Sequence, residues 1–193
     1  MDQPEVKLHR DLILKYIKVG LLYTMTLHHK DGSYDQAYPH EHSYGATAFL
    51  LPDMIAVYKA IKSVCSNVEK SHIEDGFRKS ADFLCRRSEQ HEFIANHLAG
   101  AVLALQQAHV LFDEKRYDQK ANEILGSILD RQSEEGWFPE YGGADPGYQT
   151  LCMYYLAQIY RIDQTKLLKN ALEKSLQFLQ FFIHPDGTYG GEY

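Results

Sequence analysis

An acidic residue, a glycine and an aromatic residue recur along this chain at a spacing that few folds accommodate. Asp31-Gly32-Ser33-Tyr34 is echoed by Glu135-Gly136-Trp137-Phe138 and again by Asp186-Gly187-Thr188-Tyr189. The glycines stand 104 and 51 residues apart, two periods and one. A middle copy belongs near residue 85, where Glu89-Gln90-His91-Glu92-Phe93 lacks the glycine. A second landmark keeps the same step. After each turn come a polar, aromatic loop and then a helix, with starts near Gly45, Asn96 and Gly147. Self-similarity at a fixed step of about fifty residues marks a repeat architecture.

Each period holds two helical patterns of different character. From Arg116 to Gln132, Tyr117, Ala121, Ile124, Leu125, Ile128 and Leu129 form one stripe, with Lys120, Glu123 and Asp130 off it. That is an amphipathic helix with one solvated face. Similar stripes run from His9 to Leu27 and from Lys166 to Ile183, the second through Leu168, Leu172, Leu176, Leu179 and Phe182. By contrast, Asn96 to Phe112 and Gly147 to Tyr160 carry no charge, and Gly45 to Tyr58 carries only Asp53. Helices that are apolar all round are buried on most faces. The pattern predicts seven helices, alternating outer and inner, and no strands. Stacked outer–inner pairs build either a solenoid or a closed toroid. The long aromatic loops before the inner helices favour the toroid, because loops of that length are usually functional. The expected fold is all-α: antiparallel α-hairpin repeats forming part of an (α/α) toroid, in one domain over residues 1–193.

The acidic-Gly-aromatic turns, the loops that follow and the Ala-rich inner helices together resemble the (α/α) toroid proteins. That group includes heparinase II/III-type and alginate lyases, uronate epimerases, unsaturated-uronyl hydrolases and terpenoid cyclases. As architecture, the resemblance covers nearly the whole chain. Gln132-Ser133-Glu134-Glu135-Gly136-Trp137 resembles the Gln-Trp repeat of triterpene cyclases, without the residue normally found between Gly and Trp. The Asp-rich protonating motif of those cyclases is absent, which counts against a cyclase. A ring of six hairpins needs more than seven helices, and Gly190-Gly191-Glu192-Tyr193 lies in a loop that elsewhere leads into an inner helix. The expectation is a fragment of a longer toroid, whose open flanks associate with a missing C-terminal half or with another copy.

Three loops carry the candidate chemistry. In the first, Tyr38, His40, Glu41, His42 and Tyr44 lie close together. His-Glu-His is not the helical spacing that puts two imidazoles on one face, although in an extended loop His40 and His42 would share a side. Imidazole acting as acid, base or charge neutraliser is the stronger functional reading, and simple loop hydrogen bonding is the plainest one. Asn96-His97 opens the second inner helix. Asn96 reads as its N-cap, or as part of an anion contact with the free N–H groups there. In the third loop, Asp145 before Pro146 reads as an N-cap with Pro at the first helical position. Glu140, Tyr141 and Tyr148 are expected to face the central cavity, and a Glu140–Asp145 pair at the right separation could serve glycoside hydrolysis. The resemblance to the lyases implies that Asn96 and His97 neutralise a substrate carboxylate while Tyr44, His42 or Tyr148 removes a proton. Tyr38, His40, Glu41, Glu140, Tyr141, Asp145 and Gln149 would then bind sugar. Trp137 and Phe138 read as core anchors, and His28, His29, His72, His109 and His184 as surface or capping residues.

Charge and composition narrow the partners. Lys and Arg number 20 against 26 Asp and Glu, a net charge of -6, which argues against nucleic acid and anionic membrane. The apolar run from Leu12 to Leu27 is broken by Lys15, Lys18 and Gly20, short of a membrane span. Asp2, Glu5 and Asp11 stand where a secretory signal needs basic and apolar residues, so a cytoplasmic location is expected. Cys65, Cys85 and Cys152, odd in number and widely spaced, read as reduced buried thiols. Nucleotide and serine-hydrolase motifs are missing, so no cofactor and no metal is expected. The 14 Tyr against 1 Trp, many of them in Gly/Pro-containing loops, suit a wet recognition surface. Together these features suggest a carbohydrate-active protein, lyase- or epimerase-like on uronate-containing polysaccharide. A non-catalytic toroid or solenoid binding module, a glycoside-hydrolase-like toroid and a terpenoid-cyclase-like toroid stay open as alternatives.

Overall fold

The computed structural model describes residues 4–190, with side chains from residue 9 onward. The first three residues and Gly191 to Tyr193, read above as leading toward a further inner helix, lie outside the described residues. Seven α-helices follow one another: α1 (Pro4–Thr24), α2 (Tyr44–Ile61), α3 (Asn67–Arg86), α4 (Ala95–Phe112), α5 (Lys115–Leu129), α6 (Pro146–Ile162) and α7 (Lys166–Leu179). Single 3₁₀ turns follow α2 and α7, and among the described residues there is no strand, only isolated bridges in the loops. No helix among these residues is long and apolar enough to cross a membrane.

Helix starts follow local chemistry. Ser43 caps α2 by accepting the Ala46 N–H, and Ser66 with Glu69 forms a reciprocal capping box at α3. Asp145 caps α6 with Pro146 just inside, as the sequence suggested, and Thr165 caps α7. The exception is α4. Its cap position is Ile94, which offers no side-chain acceptor, and Asn96 is already the second helical residue. The expectation that Asn96 caps this helix is therefore corrected.

The core is centred on α4, which packs against α2, α6, α5 and α3. From Ala95 to Ala108 it is buried except at Gln107, as its uncharged sequence requires. The helices on either side of it, α2 and α6, keep one face open, with Leu50 and Val57 or Tyr148 and Tyr154 exposed. On α5, Tyr117, Ala121, Ile124, Leu125 and Ile128 form a buried stripe. Two expected stripes are only partly realised. Leu176 of α7 is exposed, and α1, which packs mainly against α2 and α3, leaves Leu12, Ile13, Tyr16, Val19 and Tyr23 in solvent.

The glycine turns before α2 and α6 are held alike. At each, the backbone closes on itself and the glycine takes a positive φ, +93° at Gly32 and +107° at Gly136. A serine from the second helix after the turn, α3 or α7, reaches the glycine carbonyl: Ser80 Oγ donates to Gly32 at 2.7 Å and Ser175 Oγ to Gly136 at 2.7 Å. A side chain from the first helix after the turn, α2 or α6, accepts the N–H of the aromatic residue: Thr47 from Tyr34 at 3.0 Å, Gln149 from Phe138 at 2.9 Å. These clasps fix where the loops before α2 and α6 begin. Phe138 is fully buried as expected, whereas Trp137 is half-buried with its indole N–H on Glu135.

Candidate functional site

The loop before α2 is folded by its own carboxylates. Asp35 accepts the N–H groups of His40 and His42 and the ring of His29, and Glu41 accepts those of Gln36 and Ala37 at 2.8 Å each. Burial alone would raise the Asp35 carboxyl, but these hydrogen bonds and the neighbouring imidazole hold it far below the usual range. The loop is not extended: φ is +64° at His40 and +53° at His42. The expectation that an extended loop puts both imidazoles on one side is corrected. His42 turns instead to Ser33 (2.8 Å) and Asp31 (3.1 Å), and its ring stacks on His29 with centroids 4.0 Å apart.

Beyond this loop, the N-terminus of α2 and the segment linking α3 to α4 enclose a cleft of about 250 Å³. Its lining includes Glu41, His42, Tyr44, Arg87, Glu89 and His97. The glycine-free stretch after α3 thus supplies Arg87, Glu89 and His91, while α4 supplies His97. Only 8% exposed, His97 bonds through Nδ1 to Glu89 at 2.6 Å. Because a carboxylate can only accept, this bond puts the proton on Nδ1 and leaves the lone pair of a neutral ring on Nε2. Nε2 has no hydrogen-bond partner among the described residues. For Glu89, burial alone would raise the carboxyl. The His97 bond, the N–H groups of His91 and Gln90 and the imidazole charge outweigh it and hold the group below the ordinary value.

Gly45 sets the position of that imidazole. A Cβ at residue 45 would lie 2.6 Å from His97 Cε1 and 2.7 Å from Nδ1, and the Phe49 ring closes the other side at a centroid distance of 5.1 Å. Gly45→Ala is expected to push the ring off Glu89. The imidazole nitrogen shifts should lose the signature of the Nδ1 bond, with a stability loss of about 1–3 kcal/mol.

Tyr44 is 6% exposed, and its hydroxyl makes no hydrogen bond among the described residues. Burial first, then the charges of Glu89, Cys85 and Glu123, push the phenol well above its ordinary value, so it stays protonated. Neither does Arg87 form an ion pair among the described residues. One cleft therefore holds a carboxylate-oriented imidazole, a protonated phenol and a guanidinium without an ion-pair partner among the described residues. Such a set can remove one proton, supply another and attract an anion.

Other residues singled out from the sequence lie elsewhere. Tyr38 is exposed at the loop tip, and Glu41, although in the lining, is occupied in folding its own loop. Gln149 is buried inside the turn clasp, bonded to Phe138 and Ser175, so its expected contact with sugar is replaced by a structural one. Asp145 is the cap of α6. Tyr141 and Tyr148 are half-exposed neighbours with ring centroids 5.5 Å apart, outside the cleft lining. Glu140 is buried and bonds Asn96 through the backbone N–H at 2.8 Å and Nδ2 at 2.7 Å. Among the described residues no cluster of three or more His, Cys, Asp or Glu is arranged to hold a metal ion. Sequence reasoning did not single out Glu89 or Arg87, both in the cleft lining, as site residues. The available signal was the broken repeat at Glu89-Gln90-His91-Glu92-Phe93, since local departures from a pattern concentrate at functional sites.

The family model of the ulvan lyase N-terminal domain matches residues 15–191. The chain belongs to this family. No curated protein and no solved structure matches it. For an ulvan lyase N-terminal domain, a helical framework with a carbohydrate-related function follows, and the terpenoid reading loses its footing.

Proposed function

We propose that the cleft between the α2 N-terminus and the α3–α4 segment cleaves a uronate-containing polysaccharide, with ulvan the first candidate, by β-elimination. The observation that carries this reading is the buried His97–Glu89 pair, whose Nε2 has no partner among the described residues, sharing a cleft lining with the Tyr44 phenol and with Arg87, which has no ion-pair partner there. Arg87 with His42 attracts the uronate carboxylate, which acidifies the adjacent C–H. His97 Nε2 takes that proton, and the released electron pair forms a carbon–carbon double bond as the glycosidic C–O bond breaks. The Tyr44 hydroxyl protonates the departing oxygen. Asn96, anchored to Glu140, holds the start of α4 beside this chemistry. The helices belong to part of an (α/α) toroid in this reading, with α2, α4 and α6 as its inner layer. The alike clasps at Gly32 and Gly136 support that arrangement.

Incubation with ulvan, followed by ultraviolet absorbance of the unsaturated chain end, tests the proposal. Rising absorbance with matching new reducing ends is expected. New reducing ends without absorbance would mean hydrolysis, and binding without any cleavage would mean a recognition module; either outcome overturns the lyase reading.

A further inference from the structure

Three inner helices begin in this chain, and two carry their own caps. Ser43 accepts the Ala46 N–H at 3.1 Å and Asp145 the Tyr148 N–H at 2.8 Å. At α4 the cap position, Ile94, has no side-chain acceptor, and the first two N–H groups are satisfied from a loop more than forty residues further on. The Ala95 N–H reaches Pro139 O at 3.1 Å and the Asn96 N–H reaches Glu140 Oε1 at 2.8 Å. The second Glu140 oxygen accepts Asn96 Nδ2 at 2.7 Å. The loop that delivers this carboxyl is a tight bracket. Glu140 and Gly143 exchange backbone hydrogen bonds at 2.8 and 3.0 Å, and the two residues between them, Tyr141 and Gly142, have φ of +50° and +86°. A left-handed tyrosine is uncommon and persists where its surroundings demand it.

We infer that Glu140 is a positioning residue: it caps α4 in trans and, by gripping Asn96 at both main chain and side chain, sets the attitude of His97. The inference rests on the lyase reading of the His97 cleft. A carboxylate at a helix N-terminus satisfies free N–H groups and complements the helix dipole. Asn96 is the residue before His97, so a shift in the first turn of α4 carries directly to the imidazole between Gly45 and Phe49. The Asn96 amide has one orientation available against an ionised Glu140, with Nδ2 donating, and its Oδ1 is consequently buried without a partner. A proton on Glu140 would reverse that preference, because the acid could then donate to Oδ1.

The surroundings place that proton near neutrality. Burial, helped by the charge of Asp145 and opposed by the two Asn96 bonds, pushes the Glu140 carboxyl up to about 7. The ionisable groups that sense it are Asp145 at the start of α6, Cys152 on α6 and Tyr141 in the bracket itself. For a carboxyl raised from the ordinary 4.5, the associated stability is fully present below 4.5 and is lost as pH rises through about 7.

The test uses the full chain and two independent readouts. In a pH titration by amide NMR, the Asn96 backbone and side-chain N–H resonances should move with a midpoint near 7. In Glu140→Gln that transition should vanish while the resonances of α7 stay put. An Asn96 amide that does not titrate in the wild type, or an unchanged His97 environment in Glu140→Gln, overturns the proposal whether or not any polysaccharide is cleaved. Where ulvan cleavage is measurable, Glu140→Gln should lower kcat by about 10- to 100-fold with KM little changed, the mark of a displaced reacting group. A rise in KM alone would place Glu140 in substrate binding and sink the positioning role. Should Glu140→Gln fail to fold, Asn96→Ala, which keeps the backbone bond to Glu140, must still shift the His97 ring resonances, and an unchanged ring overturns the positioning role.

Discussion

Alanine at Gly32 or Gly136 is expected to destabilise the protein by about 4 kcal/mol each, and the double variant to be unfolded. Two effects add. Both glycines have φ near +100°, where a side chain costs about 1–3 kcal/mol. Both also lie flat against a neighbouring helix. A Cβ on Gly32 would stand 2.5 Å from the Ser80 nitrogen and closer still to the Lys79 carbonyl, and one on Gly136 would overlap the Lys174 carbonyl. These obstacles are backbone, so relief requires moving α3 or α7, and overpacking of this kind costs about 1–3 kcal/mol or more. The clasp hydrogen bonds from Ser80 and Ser175 would go with it. Gly187 provides the internal control. It has the same turn and a φ of +84°, but among the described residues nothing stands within 4 Å of its Cβ position. Gly187→Ala should therefore lose only the strain, about 1 kcal/mol. Urea unfolding followed by circular dichroism separates the cases, and equal losses at all three glycines would show that docking against the outer helices adds nothing.

The same glycines explain why the fold was readable in the chain. A turn that needs positive φ and close backbone approach admits little besides glycine, so its spacing survives as a visible period. Alternation of charged and uncharged helices was equally legible, because only α4, with neighbours on both sides, must be apolar all round. The open faces of α1, α2 and α6 were not legible, since an apolar stripe looks the same whether or not a partner covers it. Of the residues singled out by type and loop position, His42, Tyr44 and His97 share one cleft lining. The form of the first loop was misread because Asp35 and Glu41 fold it through five main-chain N–H groups within seven residues, a local side-chain capping pattern that the alternation of residues along an extended loop does not reveal. Asn96 was read as a cap because asparagine usually is one. The actual cap, Glu140, comes from 44 residues away and leaves no local signature. Glu89 was hidden for the opposite reason: it stands where the repeat fails, and a period directs attention to the copies that keep it.

Loss of His97 is expected to remove cleavage of an acidic polysaccharide almost wholly, with kcat/KM falling about 10²- to 10⁴-fold in His97→Ala, the usual range for a general base. Stability alone would not establish the point, because removing a buried ring also leaves a hole beside Phe49. Two companions distinguish chemistry from packing. Glu89→Gln keeps the shape and can still accept from Nδ1 through its amide oxygen, but it removes the negative charge that favours an imidazolium. It should reduce the rate while leaving the fold intact at neutral pH. The Glu89 carboxyl is held below its ordinary value, so its contribution to stability is present above that value and lost as pH falls through the folded one. Wild type should weaken on acidification in a way that Glu89→Gln does not. Tyr44→Phe is the sharper case. The hydroxyl has no hydrogen-bond partner among the described residues, so its removal should leave stability within about 0.5 kcal/mol or raise it slightly. A group that contributes nothing to folding yet faces a cleft with His97 and Arg87 has its consequence in turnover. If Tyr44→Phe cleaves ulvan at the wild-type rate, the phenol is not the proton donor and the departing oxygen must be protonated from solvent or from another residue in the cleft.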